Sequence, residues 1–249
     1  MPDASVFNAW HADVANSAAC DLVFQQALGL PPEVVSNSLL TWAGVADITA
    51  ALRLAPGQTL VDLACGRGGY SQEVARRTGA RLVGMDFSAV AVTIAERSTD
   101  QRARARFCVG DFTAIGLRDH SAEAVMCVDA FQFSQAPLAA LAEWRRILAP
   151  GGRLAITGWE PIEPVDQRVP ERIRRMNLAR DLAEAGFEQV EVTGKPDWYA
   201  AERALWQAAV QVDADGDPGL GALREEGTRV LETFDAKRRV LGTASVPLA

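Results

Sequence analysis

Between Thr59 and Trp159 five short apolar segments, TLVDLA, RLVGMD, ARFCVGD, EAVMCVD and RLAITGW, are spaced by connections that are mostly helical in pattern. Helical spacing runs over about 69–78, 89–98 and 137–148, and a loop precedes EAVMCVD. Strands this short and this apolar, joined by helices, must run parallel and be covered on both faces. The pattern therefore predicts an open α/β sheet rather than a bundle or a β-sandwich. Pro56-Gly57 opens the series and the Pro150-Gly151-Gly152 turn precedes its last strand.

The flanks read differently. Apolar residues recur at helical spacing from Val6 to Leu28 and again from about Leu39 to Leu54, so residues 1–55 are expected to form a helical cap. Residues 56–249 then hold the sheet domain. After Trp159 the segment EPIEPVDQRVPERIRR is rich in proline and charge and reads as a surface loop with one short helix. NLARDLAEAG, ended by Gly186, reads as helix, and FEQVEVT and RRVLGTASV as two further strands. Between those strands lies a helical insertion near 196–236.

Composition narrows the partners. A formal net charge of -7 and a pI near 5.0 argue against a nucleic-acid surface, which draws its affinity from lysine and arginine on phosphates. The start MPDASVFNAWHADV lacks a basic head and apolar core, and no segment is apolar enough to span a bilayer, so a cytoplasmic protein with a small-molecule partner is expected. Cys20, Cys65, Cys108 and Cys127 form no CxxC pair and have no histidine at metal-ligand spacing; they read as free structural thiols, and no metal site is expected.

Four successive predicted strands end at or beside an aspartate: Asp62, Asp86, Asp111 and Asp129. Ligands of open parallel sheets gather at the carboxyl ends of the strands, so these carboxylates share the functional rim. The first is followed by the glycine turn ACGRGG. A dinucleotide would place its pyrophosphate on such a turn through G-x-G-x-x-G, but here the third glycine position is Ser71, and the rim carboxylates repel an anion. S-adenosyl-L-methionine carries a sulfonium and an ammonium and no phosphate, and the same rim attracts it.

VDLACGRGG, VGMDFS, FCVGDFTAIGL, AVMCVDAFQF and RRILAPGGRLAIT resemble, in order and spacing, the motifs of class I S-adenosylmethionine-dependent methyltransferases of the small-molecule type. The resemblance covers Leu60 to about Val192. The cap and the tail are similar, more loosely, to the additions of members that modify quinones or natural products. It implies a Rossmann-like sheet of order 3-2-1-4-5-7-6 with strand 7 antiparallel. It also implies a cofactor site: Asp62, Ala64, Gly66 and Gly68 around the methionine part, with Ala64 standing where the family has its first glycine. Asp86 would accept from the ribose hydroxyls, Phe87 pack on the adenine, Asp111 accept from the adenine amino group, and Phe112 donate its backbone N–H to the ring. Asp129, or the backbone beside it, would face the ammonium.

Methyl transfer needs a base only when the acceptor must lose a proton. Of the two histidines, His120 precedes the fourth strand on the edge away from the rim and reads as a surface residue; His11, on the first helix, is the candidate base. Trp10, Trp42 and Trp159 are the candidate wall of a broad apolar acceptor pocket, favouring transfer to oxygen or carbon of an aromatic or quinone-like molecule. The insertion is expected to leave the sheet near the carboxyl end of strand five and to pack over that pocket through Trp198 or Trp206. Three alternatives stay open: a nucleic-acid methyltransferase, which lacks its N/D-P-P-Y segment here because VDAFQF stands in that place; a binding protein or cyclase that uses the cofactor without transfer; and a nicotinamide oxidoreductase.

Overall fold

The computed structural model describes residues 8, 9, 12–14, 17–100 and 104–248. Residues 8, 9 and 12–14 are helical, and α1 (Ala18–Leu28) and α2 (Trp42–Leu52) lie between them and the sheet. Then follow β1 (Thr59–Leu63), α3 (Gly69–Thr78), β2 (Arg81–Asp86), α4 (Ala89–Ser98), β3 (Ala105–Val109) and β4 (Ala122–Val128). The second half holds α5 (Pro137–Ile147), β5 (Leu148–Pro161), short α6 (Glu171–Arg174), α7 (Leu178–Glu184), β6 (Glu188–Gly194), α8 (Pro196–Ala209), α9 (Pro218–Leu231) and β7 (Lys237–Ser245).

The seven strands lie in the order β3-β2-β1-β4-β5-β7-β6. β1 to β5 are parallel, and β7 runs antiparallel to both β5 and β6. This is the open α/β sheet expected from the strand pattern, in the order that the family resemblance implies. Consecutive residues of a central strand enter opposite cores: in β4, Ala124, Met126 and Val128 join one apolar cluster while Val125 and Cys127 join the other. Both faces of the strand are therefore dry, which is why it reads as an unbroken apolar run. Trp144 of α5 is fully buried against the second face; its Nε1 donates to the Phe112 carbonyl at 2.8 Å, and the Phe112 and Phe131 rings meet it edge-on. The four cysteines are free thiols.

The two leading helices share the first core with α3, α8 and α9, through Phe24, Leu28, Ile48, Val74, Leu205 and Leu223. Ser17, the N-cap of α1, also donates to Asp217 at 2.7 Å. The N-terminal helices and the late insertion are thereby tied together. The insertion leaves β6 at Gly194 and re-enters at Lys237, which pairs with Pro161 at the carboxyl end of β5. It emerges at the rim where the parallel strands end, as its position in the sequence predicts. Among the described residues no helix is long and apolar enough to cross a membrane.

Candidate functional site

The turn after β1 is built from residues that leave the ordinary backbone regions in succession. Ala64, Gly66 and Gly68 have φ of 62°, 52° and 76°. The Ala64 value is costly for a residue with a Cβ, on the order of 1–2 kcal/mol. The Cys65 N–H donates to the Met85 carbonyl of β2 at 2.9 Å, and Gly68 N–H returns to the Cys65 carbonyl at 2.9 Å. At Gly69 a Cβ would stand 2.1 Å from the Val35 carbonyl oxygen, so only glycine lets the segment ahead of α2 lie directly on the turn.

Two rim carboxylates organise this turn. Asp86 accepts from the Gly66 N–H at 2.8 Å through Oδ2 and from the Ser88 N–H at 2.9 Å through Oδ1, bridging the ends of β1 and β2. Each oxygen keeps a second lone pair for another donor. Asp62 is buried beneath the turn, and its Oδ1 has no hydrogen-bond partner among the described residues. Burial pushes its carboxyl up to about 7; a hydrogen bond from Ser71 opposes the shift and the nearby Asp86 charge adds to it.

Above the turn lies a cavity of about 460 Å³. Of the residues singled out from the sequence, Ala64, Gly66, Asp86, Phe87, Phe112, Asp129 and Trp159 line it. Ser36 to Leu39, from the segment before α2, form a further wall that sequence reasoning missed. That segment is pinned by Tyr70, whose hydroxyl donates to the Ser38 and Leu40 carbonyls at 2.9 and 2.8 Å.

Three expectations are corrected. The Asp129 carboxylate is not free to meet a ligand's ammonium: Arg239 donates to both its oxygens at 2.8 and 3.2 Å, and Leu39 N–H and the Thr157 hydroxyl fill the rest at 2.8 and 2.7 Å. Its backbone carbonyl accepts from Gln132 Nε2 at 2.6 Å. Asp111 stays off the cavity wall because its Oδ1 accepts from the N–H and hydroxyl of Thr113, both at 2.8 Å, closing the loop after β3. Trp42 does not reach the acceptor wall either. Its ring is covered by the Arg77 guanidinium at 4.2 Å, on the α3 side of the first core. Trp10 and His11 lie outside the described residues. His120 is exposed, with its ring Nδ1 2.9 Å from the Leu148 carbonyl.

At the other end of the cavity the insertion closes over the sheet. Trp206 and Glu202 of α8 and Val230 and Glu226 of α9 line it, together with Trp159 and Lys237. Trp198 instead turns into the core beside α2. Glu202 is 1% exposed and accepts from Trp159 Nε1 at 2.9 Å and Trp206 Nε1 at 3.2 Å. Arg239, fully buried on β7, lies with its Nε 3.4 Å from Glu202 and its guanidinium 4.3 Å from the Trp159 ring centre. Burial pushes the Glu202 carboxyl up, with Arg239 opposing. Sequence reasoning missed Glu202, Arg239 and Lys237. Among the described residues no group of histidine, cysteine, aspartate or glutamate is placed to hold a metal ion.

Residues 61–156 match the family described as Methyltransferase domain. The chain is 28% identical over 184 residues to a sterol 24-C-methyltransferase of Eremothecium gossypii, an overlap of 64% of this chain and 49% of that protein. It is 30% identical to a 2-methyl-6-phytyl-1,4-hydroquinone methyltransferase of Synechocystis sp., covering 68% of this chain and 57% of the other. The chain thus spans about half the length of these curated relatives. In fold it is similar to the [4+2]-cyclase SpnF, with TM-score 0.69 and 24% identity over 83% of this chain and 82% of that one. A geranyl diphosphate C-methyltransferase from Streptomyces coelicolor A3(2) gives TM-score 0.65 and 18% identity, covering 82% and 78%. The glycine turn under a rim carboxylate and the strand order agree with the matched segment, and residues 61–156 belong to the methyltransferase domain family.

Proposed function

We propose that this protein transfers a methyl group from S-adenosyl-L-methionine to an oxygen or carbon of a small, largely apolar acceptor. The observation that carries the reading is a single cavity with two unlike ends. One is the glycine turn with Asp86; the other is an aromatic wall of Trp159 and Trp206 under the insertion. A volume of about 460 Å³ lies within the usual range for small-molecule sites, about 300–1,000 Å³.

The residues present fit the cofactor. The buried Asp62 Oδ1 without a partner supports a site for a cationic ligand above the turn, since an ionised carboxylate there gains from a positive neighbour. Asp86 has lone pairs left for the ribose hydroxyls, Phe87 and Phe112 offer apolar walls for the adenine, and the backbone at Ala64 and Gly66 borders the methionine part. When bound, the cofactor supplies an electrophilic methyl group. The chain's own contribution is to hold the acceptor in line and to exclude water with Trp159, Trp206 and Ile173, so most of the acceleration comes from alignment in a dry pocket.

If the acceptor releases a proton, Glu202 is the carboxylate beside the aromatic wall that takes it up, on a lone pair left over by the two indoles, and its raised affinity for protons suits that role. His11, the base expected from the sequence, is the competing assignment. A small-molecule partner rather than nucleic acid belongs to the same reading, supported by the net charge of -7, and a cytoplasmic setting is proposed with it. The test is incubation with a methyl-labelled donor and aromatic, quinone and terpenoid acceptors, followed by product mass analysis. A cyclised or unmodified product with no label would favour the cofactor-binding alternative.

A further inference from the structure

We infer that the acceptor carries an anionic oxyacid group, a carboxylate or a phosphate, held between Lys237 and Arg172; this rests on the acceptor reading above. Lys237 opens β7 at the carboxyl end of β5, is 5% exposed, and lines the cavity. Its ammonium has neither a hydrogen bond nor an ion pair among the described residues, and the contact it does make is with the Phe234 ring, 5.6 Å away. The carboxylates that might neutralise it are committed elsewhere. Glu226 is bound by Arg229 at 2.6 Å, Glu160 by Arg238 at 2.8 Å, and Glu202 by the two indoles and Arg239.

Arg172, on α6 at the exposed mouth of the same cavity, is a second cation that among the described residues has no hydrogen bond or ion pair to a carboxylate, though the Glu226 charge reaches it; it lies over the Phe133 ring at 5.3 Å. The two cations repel one another across the wall, and burial together with that repulsion lowers the lysine's proton affinity, against the pull of Glu202 and Glu226. An ammonium in an apolar wall is costly unless something charged or polar meets it. A wholly apolar acceptor would leave it dry and unpaired. An oxyanion entering beside Ile173 and Val230 gives both cations a shared partner, and charge-assisted hydrogen bonds of this kind are about twice as strong as neutral ones. The acceptor is thus amphipathic, with its apolar body against Trp159 and Trp206 and its anionic end at Lys237.

Isothermal titration with octanoate, octyl phosphate and octanol, each with and without S-adenosylhomocysteine, tests this on the intact chain. One or both anions are expected to bind at least about tenfold more tightly than octanol, with the tighter of the two naming the oxyacid. Lys237→Met and Arg172→Met are each expected to reduce that preference, and Lys237→Arg to retain it. Arg172 sits at the mouth, so its variant reports even if a change at Lys237 disturbs folding. Octanol binding as tightly as both anions, or a preference that survives in both methionine variants, would overturn the inference. Failure of S-adenosylhomocysteine to bind would count against the proposed function alone, because the anion preference is read without it as well.

Discussion

Arg239 on β7 reaches across β5 to the end of β4 and grips Asp129, Nη1 to Oδ1 at 2.8 Å, with both side chains buried. Its Nε faces Glu202 of the insertion. One cation therefore holds together a rim carboxylate, the aromatic wall and the helical insertion. Arg239→Met leaves two buried carboxylates without it, which costs about 3–5 kcal/mol by analogy with other broken buried pairs. For a chain of this size a fall in Tm on the order of 10 °C is expected. A change within 2 °C, read by calorimetry, would mean that neighbouring donors suffice.

Asp62 gives a pH signature. Its folded pKa of about 7 stands above the ordinary 3.8, so between these values the folded protein holds a proton that the unfolded chain releases. Stability from this group is present at low pH and is lost as pH rises through the window, by about 4 kcal/mol in all on an order-of-magnitude basis. Asp62→Asn removes the slope, so the variant gains on the wild type between pH 4 and pH 8 while losing affinity for S-adenosylhomocysteine. Urea midpoints of the two proteins at both pH values decide this; a constant difference between them contradicts it.

Ala64 occupies a backbone conformation that suits glycine, with φ of 62°. Ala64→Gly relieves that strain and loses part of the gain to the greater freedom of the unfolded chain, for a net stabilisation of about 1 kcal/mol. Cofactor affinity should be unaltered. A destabilised variant would show that the methyl group's packing outweighs the strain.

How much of this was legible in the sequence follows chain distance. The alternation of strands and helices, the glycine turn and the place of Asp86 lie in segments whose pattern is local: apolar runs, a turn and an acid at each strand end; the sheet order followed from the family resemblance and not from that pattern. The insertion's exit was legible because a long helical excursion between strands six and seven must leave from one end of the sheet. Glu202, Arg239 and Lys237 gave no signal. Arg239 meets Asp129 across 110 residues and Glu202 meets Trp159 across 43, and nothing in a local pattern says which buried charges will pair. Asp129 misled for the same reason, since its partner lies in the last strand. Trp42 misled because a tryptophan at a helix start has the same spacing whether it faces a cavity or, as here, an arginine on the next helix.

The proton acceptor is separable from the cofactor site. Glu202→Gln keeps the side chain's volume and an oxygen for an indole N–H but removes the base, so kcat should fall by roughly 10²-fold if the acceptor loses a proton in the slow step. S-adenosylhomocysteine affinity should be retained. The same loss in His11→Ala, with Glu202→Gln unaffected, would move the base to the N-terminal segment.

No step in the proposed reaction uses a metal ion, and among the described residues no group of histidine, cysteine, aspartate or glutamate is placed to hold one. Methyl transfer should therefore survive EDTA. Loss on chelation and recovery with magnesium would reassign the rim aspartates as ligands of a cation.

The central claim is that the rim at Asp86 holds S-adenosylmethionine rather than a dinucleotide, and ligand-dependent melting tests it most directly. Saturating S-adenosylhomocysteine should raise the Tm of the wild type, because a ligand that binds only the folded state stabilises it in proportion to the logarithm of its concentration over Kd. NAD and NADP should leave it unchanged. In Asp86→Ala most of the rise should vanish, with the unliganded melt showing that the variant still folds. A rise with NAD and none with S-adenosylhomocysteine would contradict the account.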